Sequence, residues 1–321
     1  MVAIGIDMSK LTFHAAFDET TVRIFQNTED GAGAFIGELA SRGYAPDATT
    51  VGVEATGAYH LFLCARLVAR GWRIVVLNPL EAHRAAEAAS LRKVKTDRVD
   101  ALLIRRMVAQ GRGYAYADTD ATIALKALVS EREGLVLMTT MAKTRMEAHA
   151  MKQRAVSVPL RDGFSPTLVA LRKEIRAIEK QFAAYEPDTQ RLLRSIPGVG
   201  IVTAATTVAF VGDIGRFSSP EKLVAYLGLD CRVYESGTSV KGKGRLVKRG
   251  NVYARHVLFN AAFIAKRLNP YFKAYFEKKV GEGRHYFSAL CAVERKLVHL
   301  IYAVWKRGTP FTPEPPKRKR S

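Results

Sequence analysis

The sequence predicts an α/β N-terminal domain with a mixed sheet, a helical coiled-coil arm and a mostly α-helical C-terminal domain. Short apolar runs alternate with helical patterns over residues 1–77, which favours a sheet covered on both faces. Apolar residues over 168–185 recur at spacings of three and four, the seam pattern of a coiled coil. The expected divisions of the chain are 1–115, 116–187 and 188–312, followed by a basic disordered tail at 313–321.

The elements of the first domain follow from apolar runs bounded by turn-forming residues. Three early strands, followed by strands that alternate with helices, predict the mixed sheet. The expected strands cover residues 2–6, 13–17, 22–25, 50–53 and 73–77. The expected helices cover residues 31–41, 58–70 and 97–110.

The arm is expected to consist of two long antiparallel helices. The first helix is expected to cover 120–157, and Pro159 and Gly163 break the helical pattern after it. Ser165-Pro166 begins the second helix, with Ser165 as the N-cap and the proline at the first helical position. At about 1.5 Å per residue the first helix would be roughly 57 Å long. An ordinary helical bundle packed on the core is the alternative. The seam of the second helix comprises Leu168, Leu171, Ile175, Ile178, Phe182 and Tyr185.

The charge of the chain is strongly positive and unevenly distributed. Among its 321 residues, 50 Lys and Arg stand against 30 Asp and Glu, a formal net charge of +20. Residues 1–110 carry 13 basic and 12 acidic residues, so the remaining residues hold 37 and 18, a net of +19. Such an excess favours a polyanionic partner, either nucleic acid or an acidic membrane surface, although a basic ribosomal-type protein has a similar balance.

Several classes of protein are disfavoured. Cys64, Cys231 and Cys291 are far apart and lack metal-ligand spacing, which argues against a disulfide framework or a structural zinc site. The sequence has no apolar run near 18 residues, so no membrane span is expected. The N-terminus has the pattern of a strand and not of a signal peptide. We therefore expect a cytoplasmic, nucleoid-associated protein.

Four carboxylates are candidates for one metal site. Asp7 and Glu54 each end an apolar strand, and strand ends form the edge at which α/β sites lie. Asp97 and Asp100 lie three residues apart, on one face of a helix, where their repulsion is relieved near a helix N-terminus or by a cation. Four carboxylates can hold two Mg²⁺ ions about 3.5–4 Å apart for attack at a phosphodiester. Lys95 and Arg98 flank the pair and suit a phosphate-bearing substrate.

The C-terminal half contains two candidate nucleic-acid contacts. Residues 196–202 have the small-residue turn of a helix-hairpin-helix element, in which Gly198 and Gly200 would let the backbone approach a phosphate. A plain tight turn between helices is the alternative. A glycine-punctuated basic segment follows, and such a segment would track a nucleic-acid backbone. Its candidate contacts are Arg232, Lys241, Lys243, Arg245, Lys248 and Arg249.

These motifs together resemble the insertion-sequence-110 family of transposases, which includes pilin-gene-inverting recombinases. The resemblance covers nearly the whole chain. It is carried by Gly5-Ile6-Asp7, the segment 54–59, the segment 95–101, the glycine turn 196–200, and residues 232–237 with 248–250.

The resemblance implies a ribonuclease-H-like N-terminal domain similar to the Holliday-junction resolvase RuvC, with Asp7, Glu54, Asp97 and Asp100 as an acidic tetrad that binds Mg²⁺ or Mn²⁺. It also implies a catalytic serine nucleophile, which falls on Ser236 in preference to Ser239. Implied partners are double-stranded donor and target DNA, a structured guide RNA and further copies of the chain in a dimer or tetramer. The tetrad and the serine would come from different subunits.

Three functions are consistent with the residues. The first is a site-specific DNA transposase or recombinase that uses the tetrad and Ser236. The second is a metal-dependent structure-specific nuclease in which Ser236 is only a turn residue. The third is a non-catalytic nucleic-acid-binding protein.

Overall fold

The computed structural model describes residues 2–55, 57–89, 96–230, 235–236, 240–241 and 250–312. For residues 235–236 and 240–241, the structure describes only the backbone. The chain divides into two compact units, Met1–Ala117 and Asp118–Ser321. The expected arm belongs to the second unit, and the finer division at residue 187 stays a prediction. The tail at 313–321 lies outside the described residues.

The first unit is built on a mixed six-stranded sheet. Its elements in chain order are β1 (Val2–Met8), β2 (Thr12–Ala16), β3 (Val22–Gln26), α1 (Glu29–Ser41), β4 (Thr49–Glu54), α2 (Tyr59–Val68), β5 (Arg73–Leu77), α3 (Pro79–Ala89), α4 (Asp97–Ala109) and β6 (Tyr114–Ala115). The strand order is β3-β2-β1-β4-β5-β6, with β1, β4 and β5 parallel and the other pairings antiparallel. The predicted mixed α/β sheet is confirmed, whereas the sequence patterns did not indicate α3 or β6.

The two faces of this sheet are covered by different helices because strand side chains alternate. Ile4, Ile6 and Met8 of β1 point to one face and share a core with buried residues of α1 and α2. The intervening Ala3 lies on the other face, in a core with residues of α4. Gly5 lies on that same face, and a Cβ built there would be 2.2 Å from the Arg105 backbone nitrogen. Glycine at this position therefore lets α4 lie directly on β1.

Polar contacts hold α4 to the turn between β2 and β3. Glu19 accepts hydrogen bonds from Arg105 at 2.5 Å and from Arg106 at 2.6 Å. The turn is ordered by Asp18, whose carboxylate accepts the backbone N–H groups of Thr20 at 2.8 Å and Thr21 at 2.7 Å. These hydrogen bonds, led by the one from the Thr20 backbone, lower the pKa of Asp18.

The second unit is mostly helical. Its elements are α5 (Asp120–Ala155), α6 (Phe164–Gln181), α7 (Pro187–Arg194), α8 (Ile201–Val211), α9 (Pro220–Tyr226), β7 (Glu235–Ser236), β8 (Val240–Lys241), α10 (Val252–Leu268), α11 (Pro270–Gly281) and α12 (Tyr286–Arg307). None of the described helices combines the length and the apolar character needed to cross a membrane.

The two expected arm helices, α5 and α6, form an antiparallel pair. Arg132 donates to Glu179 at 2.7 Å near one end, and His149 lies 3.1 Å from the Arg161 carbonyl near the other. The first part of α5 also belongs to the bundle, because Leu125 is buried in the same core as residues of α8, α10 and α12. The pair therefore combines the two arrangements considered from the sequence, an antiparallel two-helix arm and a bundle packed on the core. Supercoiling of the two helices stays a prediction.

A buried carboxyl group lies in the core of the second unit. Glu294 of α12 is 2% exposed, and its Oε1 has no hydrogen-bond partner among the residues that the structure describes. Burial raises the pKa of Glu294 to about 8, and the charge of Arg255 on α10 opposes that rise. The folded protein therefore keeps this carboxyl protonated at neutral pH.

Replacing Glu294 with glutamine is expected to stabilise the protein at high pH. Between the ordinary glutamate pKa of 4.5 and about 8, the unfolded chain loses the proton that the folded chain keeps. Stability therefore falls as pH rises through this window, by about 1.4 kcal/mol per pH unit at most. Glu294→Gln removes that loss, so its unfolding free energy should exceed that of the wild type at pH 8 and approach it at pH 5. Urea unfolding at several pH values measures this difference.

The matched control is Glu277→Gln on α11, a substitution of an exposed glutamate that lies 4.0 Å from Lys273. It should follow the wild-type pH dependence. Parallel curves for Glu294→Gln and the wild type would contradict the raised pKa.

Candidate active site

The backbone places Asp7 and Glu54 side by side at one edge of the sheet. Ile6 of β1 is in parallel register with Val53 of β4, so the next residues on the two strands are neighbours on the same face. Both side chains are half-buried. Asp7 and Glu54 lie near the carboxyl ends of parallel strands, the position at which α/β folds build their sites.

Helix α4 brings the other two carboxylates to this face. It begins at Asp97, with the Thr96 hydroxyl accepting the Val99 backbone N–H at 3.3 Å as an N-cap. Asp97 and Asp100 both lie in its first turn, where the helix dipole favours negative charge. Ala101 and Arg105 lie over Gly5, and Asp97 lies 3.6 Å from His14, the cross-strand partner of Asp7, so the start of α4 lies toward the Asp7 end of β1.

His14 is a polar neighbour of this group that the sequence reasoning missed. It faces Asp7 across the antiparallel β1–β2 pair, and its Nδ1 lies 3.6 Å from an Asp97 carboxylate oxygen. It therefore links the strand acid to the helix acid. A usable signal was the single histidine in the apolar strand 13–17, next to the strand that carries Asp7.

Asp7 and Glu54 share one face and one edge of the sheet, and α4 starts near them, but the four side chains do not form a closed cage. Within the part of the chain that the structure describes, no three Asp, Glu, His or Cys side chains are grouped closely enough to hold a metal ion. The Asp97 side chain is 61% exposed, so it is accessible to a solvent-borne ion. Carboxylate oxygens are the donors that Mg²⁺ and Mn²⁺ prefer.

Of the two basic residues predicted beside the acidic pair, Lys95 and Arg98, the structure describes only Arg98. Arg98 is exposed, and its guanidinium donates to the Thr20 carbonyl at 2.8 Å. The arginine thus already has a structural role in joining α4 to the β2–β3 turn. Lys95 lies outside the described residues.

The glycine turn between α7 and α8 contains two glycines in different surroundings. Gly198 has φ +90°, and a Cβ there would lie 2.5 Å from the Ala261 carbonyl on α10, so close packing alone requires glycine. Gly200 is exposed, precedes the first residue of α8, and has open space around it. Of the two, Gly200 has the better geometry for a phosphate contact.

The serine-bearing segment is described only in its short strands. The backbones of β7 and β8 pair antiparallel, with Ser236 opposite Val240 and Glu235 opposite Lys241. Five of the predicted basic contact residues lie outside the described residues: Arg232, Lys243, Arg245, Lys248 and Arg249. Ser239 lies outside them as well.

Two family models match the chain, one over the region with the four carboxylates and one over the region with the glycine turn and Ser236. The model described as "Transposase IS116/IS110/IS902 family" matches residues 190–277, and a DEDD transposase model of IS110 elements matches residues 4–153. The chain is 28% identical to the pilin gene-inverting protein of Moraxella lacunata over 96% of this chain and 97% of that protein. It is 23% identical to the transposase for insertion sequence element IS1328 of Yersinia enterocolitica, over 96% and 98% of the two chains.

The second model covers all four carboxylates, and the first covers the glycine turn and Ser236. A transposase cleaves and transfers DNA strands, which agrees with the strongly basic second unit. This chain belongs to the IS110/IS116/IS902 family of transposases.

Proposed function

We propose that this transposase is a site-specific DNA recombinase in which Asp7, Glu54, Asp97 and Asp100 bind Mg²⁺ or Mn²⁺ and Ser236 is the nucleophile. The observation that carries the proposal is that Asp7 and Glu54 are neighbours on parallel strands while Asp97, at the start of α4, lies 3.6 Å from His14, the cross-strand partner of Asp7. The observed strand order also supports the ribonuclease-H-like assignment of this unit.

The residues present fit a divalent metal. All four donors are carboxylates at the open edge of a packed sheet, and His14 lies against one of them. A pair of ions, when bound, would stabilise charge on the attacking and leaving oxygens of a phosphodiester. The contribution of the protein is to hold Asp7 and Glu54 in register and to fix the start of α4 above them.

Ser236 would form a covalent link with the DNA. Its hydroxyl oxygen bonds to phosphorus, the bond from phosphorus to the leaving deoxyribose oxygen breaks, and that oxygen takes a proton. Attack of a DNA hydroxyl on the phosphoserine reverses the chemistry and joins the new strands. The phosphoserine bond replaces the phosphodiester bond that was cleaved, so the strands can be rejoined without an external energy source.

Binding is assigned to the basic second unit. Its excess positive charge supports grip on double-stranded donor and target DNA and on a structured guide RNA. Gly200 would contact phosphate through the start of α8. Further contacts in this unit are proposed for Gly198, Arg232, Lys241, Lys243, Arg245, Lys248 and Arg249. In the first unit, Lys95 and Arg98 are proposed to contact phosphate beside the acidic residues.

The Ser236→Ala protein tests the proposed mechanism against the alternative of a metal-only nuclease. We expect it to bind DNA normally but to form no covalent protein–DNA adduct and to rejoin no strands. The measurement is denaturing electrophoresis of labelled substrate in Mg²⁺, with Ser41→Ala as the control because that exposed serine donates locally, to the Glu38 carbonyl at the end of α1. Full strand cleavage by Ser236→Ala would favour the nuclease.

A homo-oligomer is proposed through the outer face of α5. Leu137 and Met141 are 63% and 59% exposed and lie away from buried Thr139 and Ala142. Leu137, Met141, Thr144, Ala148 and Met151 follow the alternating four and three spacing that suits a second helix.

Replacing Leu137 and Met141 together with glutamate should convert the oligomer to a monomer. Buried like charges at a helix seam oppose association, whereas the exposed positions tolerate glutamate in the isolated chain. Sedimentation velocity measures the change, and Val169→Glu on α6, also exposed, is the control. An unchanged oligomer would place the interface elsewhere.

A further inference from the structure

A cluster of aromatic rings is exposed on the second unit, where α10 meets the start of α12. We define this aromatic patch as Phe259, Phe263, Tyr286 and Phe287. Phe259 and Phe287 are stacked with centroids 6.5 Å apart, and the Tyr286 ring meets Phe287 edge-on at 5.5 Å. Phe287 is 59% exposed. Contiguous exposed aromatic area of this kind marks a binding surface.

Cations lie among these rings. The Lys266 ammonium is 5.1 Å from the Phe263 centroid and 4.6 Å from that of Tyr286, and it donates to the Tyr286 hydroxyl at 2.8 Å. The Arg267 guanidinium is 6.0 Å from the Phe263 ring. Arg284 and His285 precede the patch and are exposed. Glu282 is an acid close by, and its carboxylate lies 2.7 Å from the Lys279 ammonium and 3.9 Å from the Arg284 guanidinium.

This combination suits unpaired nucleic acid better than a second copy of the chain. The core of a protein–protein interface is depleted of charged residues, whereas here a lysine and an arginine lie over the rings themselves. Single-stranded nucleic acid needs both features, because its bases stack on aromatic faces and its phosphates require nearby cations.

We propose that the aromatic patch is a stacking platform for unpaired bases of a single-stranded nucleic acid, with Lys266, Arg267 and Arg284 near its phosphates. The bases are those of DNA strands opened during recombination, because DNA is the substrate of the family to which the chain belongs. The inference deepens the proposed function by giving the second unit a site for unpaired strands.

The test compares binding of a normal and an abasic oligonucleotide to the full chain. Fluorescence anisotropy is measured with a labelled 15-residue thymidine oligomer and with an abasic oligomer of the same length. Both carry the same charge, so their difference isolates stacking from phosphate contact. We expect the wild type to prefer the thymidine oligomer by about tenfold or more.

The double variant Phe263→Ala/Phe287→Ala should lose most of this preference while keeping the affinity for the abasic oligomer. Leu268→Ala is the matched control, because Leu268 is 68% exposed at the end of the same helix and is not part of the patch. Phe287→Trp should retain the preference. Thermal unfolding verifies that each variant is folded.

An equal affinity of the wild type for both oligomers, or an unchanged preference in the double variant, would overturn the proposal. A double variant that becomes monomeric while retaining base preference would assign the patch to a second copy instead. Repeating the assay with a deoxyuridine and a uridine oligomer, which differ only in the 2′-hydroxyl, tests the source, and tighter binding of the uridine oligomer would assign the platform to RNA instead. The Asp7→Asn protein serves equally well in this assay, so its result is independent of the recombinase chemistry.

Discussion

Replacing Asp7 with asparagine is expected to abolish DNA strand cleavage while leaving the fold and the affinity for DNA in place. Asp7 is the central carboxylate, because Glu54 is its neighbour on the parallel strand and His14 its neighbour on the antiparallel one. Loss of a metal-binding charge removes several kcal/mol of transition-state stabilisation, which corresponds to a rate reduction of about 10³-fold or more.

Two measurements separate this chemical role from a structural one. Calorimetric titration with Mn²⁺ should show weaker binding to Asp7→Asn, and thermal unfolding without metal should show little change. Asp47→Asn is the matched control, since Asp47 is an exposed acid just before β4, at the opposite end of the strand that carries Glu54. Wild-type cleavage by Asp7→Asn would reject the metal site and favour a non-catalytic binding protein.

The positions of the two strand acids were predictable because apolar runs mark the strands, although β1 continues through Asp7 to buried Met8 and does not end at Asp7 as expected. Asp7 and Glu54 each follow a run of apolar residues whose side chains the core requires. The start of α4 was predictable for a similar reason, because Thr96 is a good N-cap and Asp97 and Asp100 suit a first turn.

The way in which these elements meet was not predictable from local patterns. The approach of α4 to β1 depends on the missing side chain of Gly5, whose effect appears only when the partner helix is known. Gly198 illustrates the same difficulty, because the pattern that suggests a phosphate turn also serves close packing against α10. His14 was overlooked because its significance lies in a cross-strand neighbour and not in its own segment.

Replacing Gly5 with alanine is expected to be among the most destabilising single substitutions in the first unit. The new Cβ would lie 2.2 Å from the Arg105 nitrogen and 2.3 Å from the Ala101 carbonyl oxygen. Both are backbone atoms of a helix, so no side-chain rotation relieves the overlap and α4 itself must move. Overpacking ordinarily costs about 1–3 kcal/mol, and we expect a value at or above the upper end here.

Alanine substitutions at two other glycines serve as controls, because the space around the added Cβ differs at each. Gly33→Ala on α1 has open space around the new Cβ and should be neutral or slightly stabilising. Gly52→Ala meets mainly the Val108 side chain, which can adjust, so its cost should lie between the other two. Urea unfolding of the three proteins measures the order, and equal stability of Gly5→Ala and Gly33→Ala would refute direct packing of α4 on β1.

The Gly5→Ala protein also connects packing with chemistry. Because α4 carries Asp97 and Asp100, its displacement from β1 moves two carboxylates away from Asp7 and Glu54. At low temperature, where enough of the variant stays folded, Mn²⁺ affinity and cleavage should both fall although all four acids are retained. Normal metal affinity in the folded variant would mean that the strand acids bind the ion without the helix.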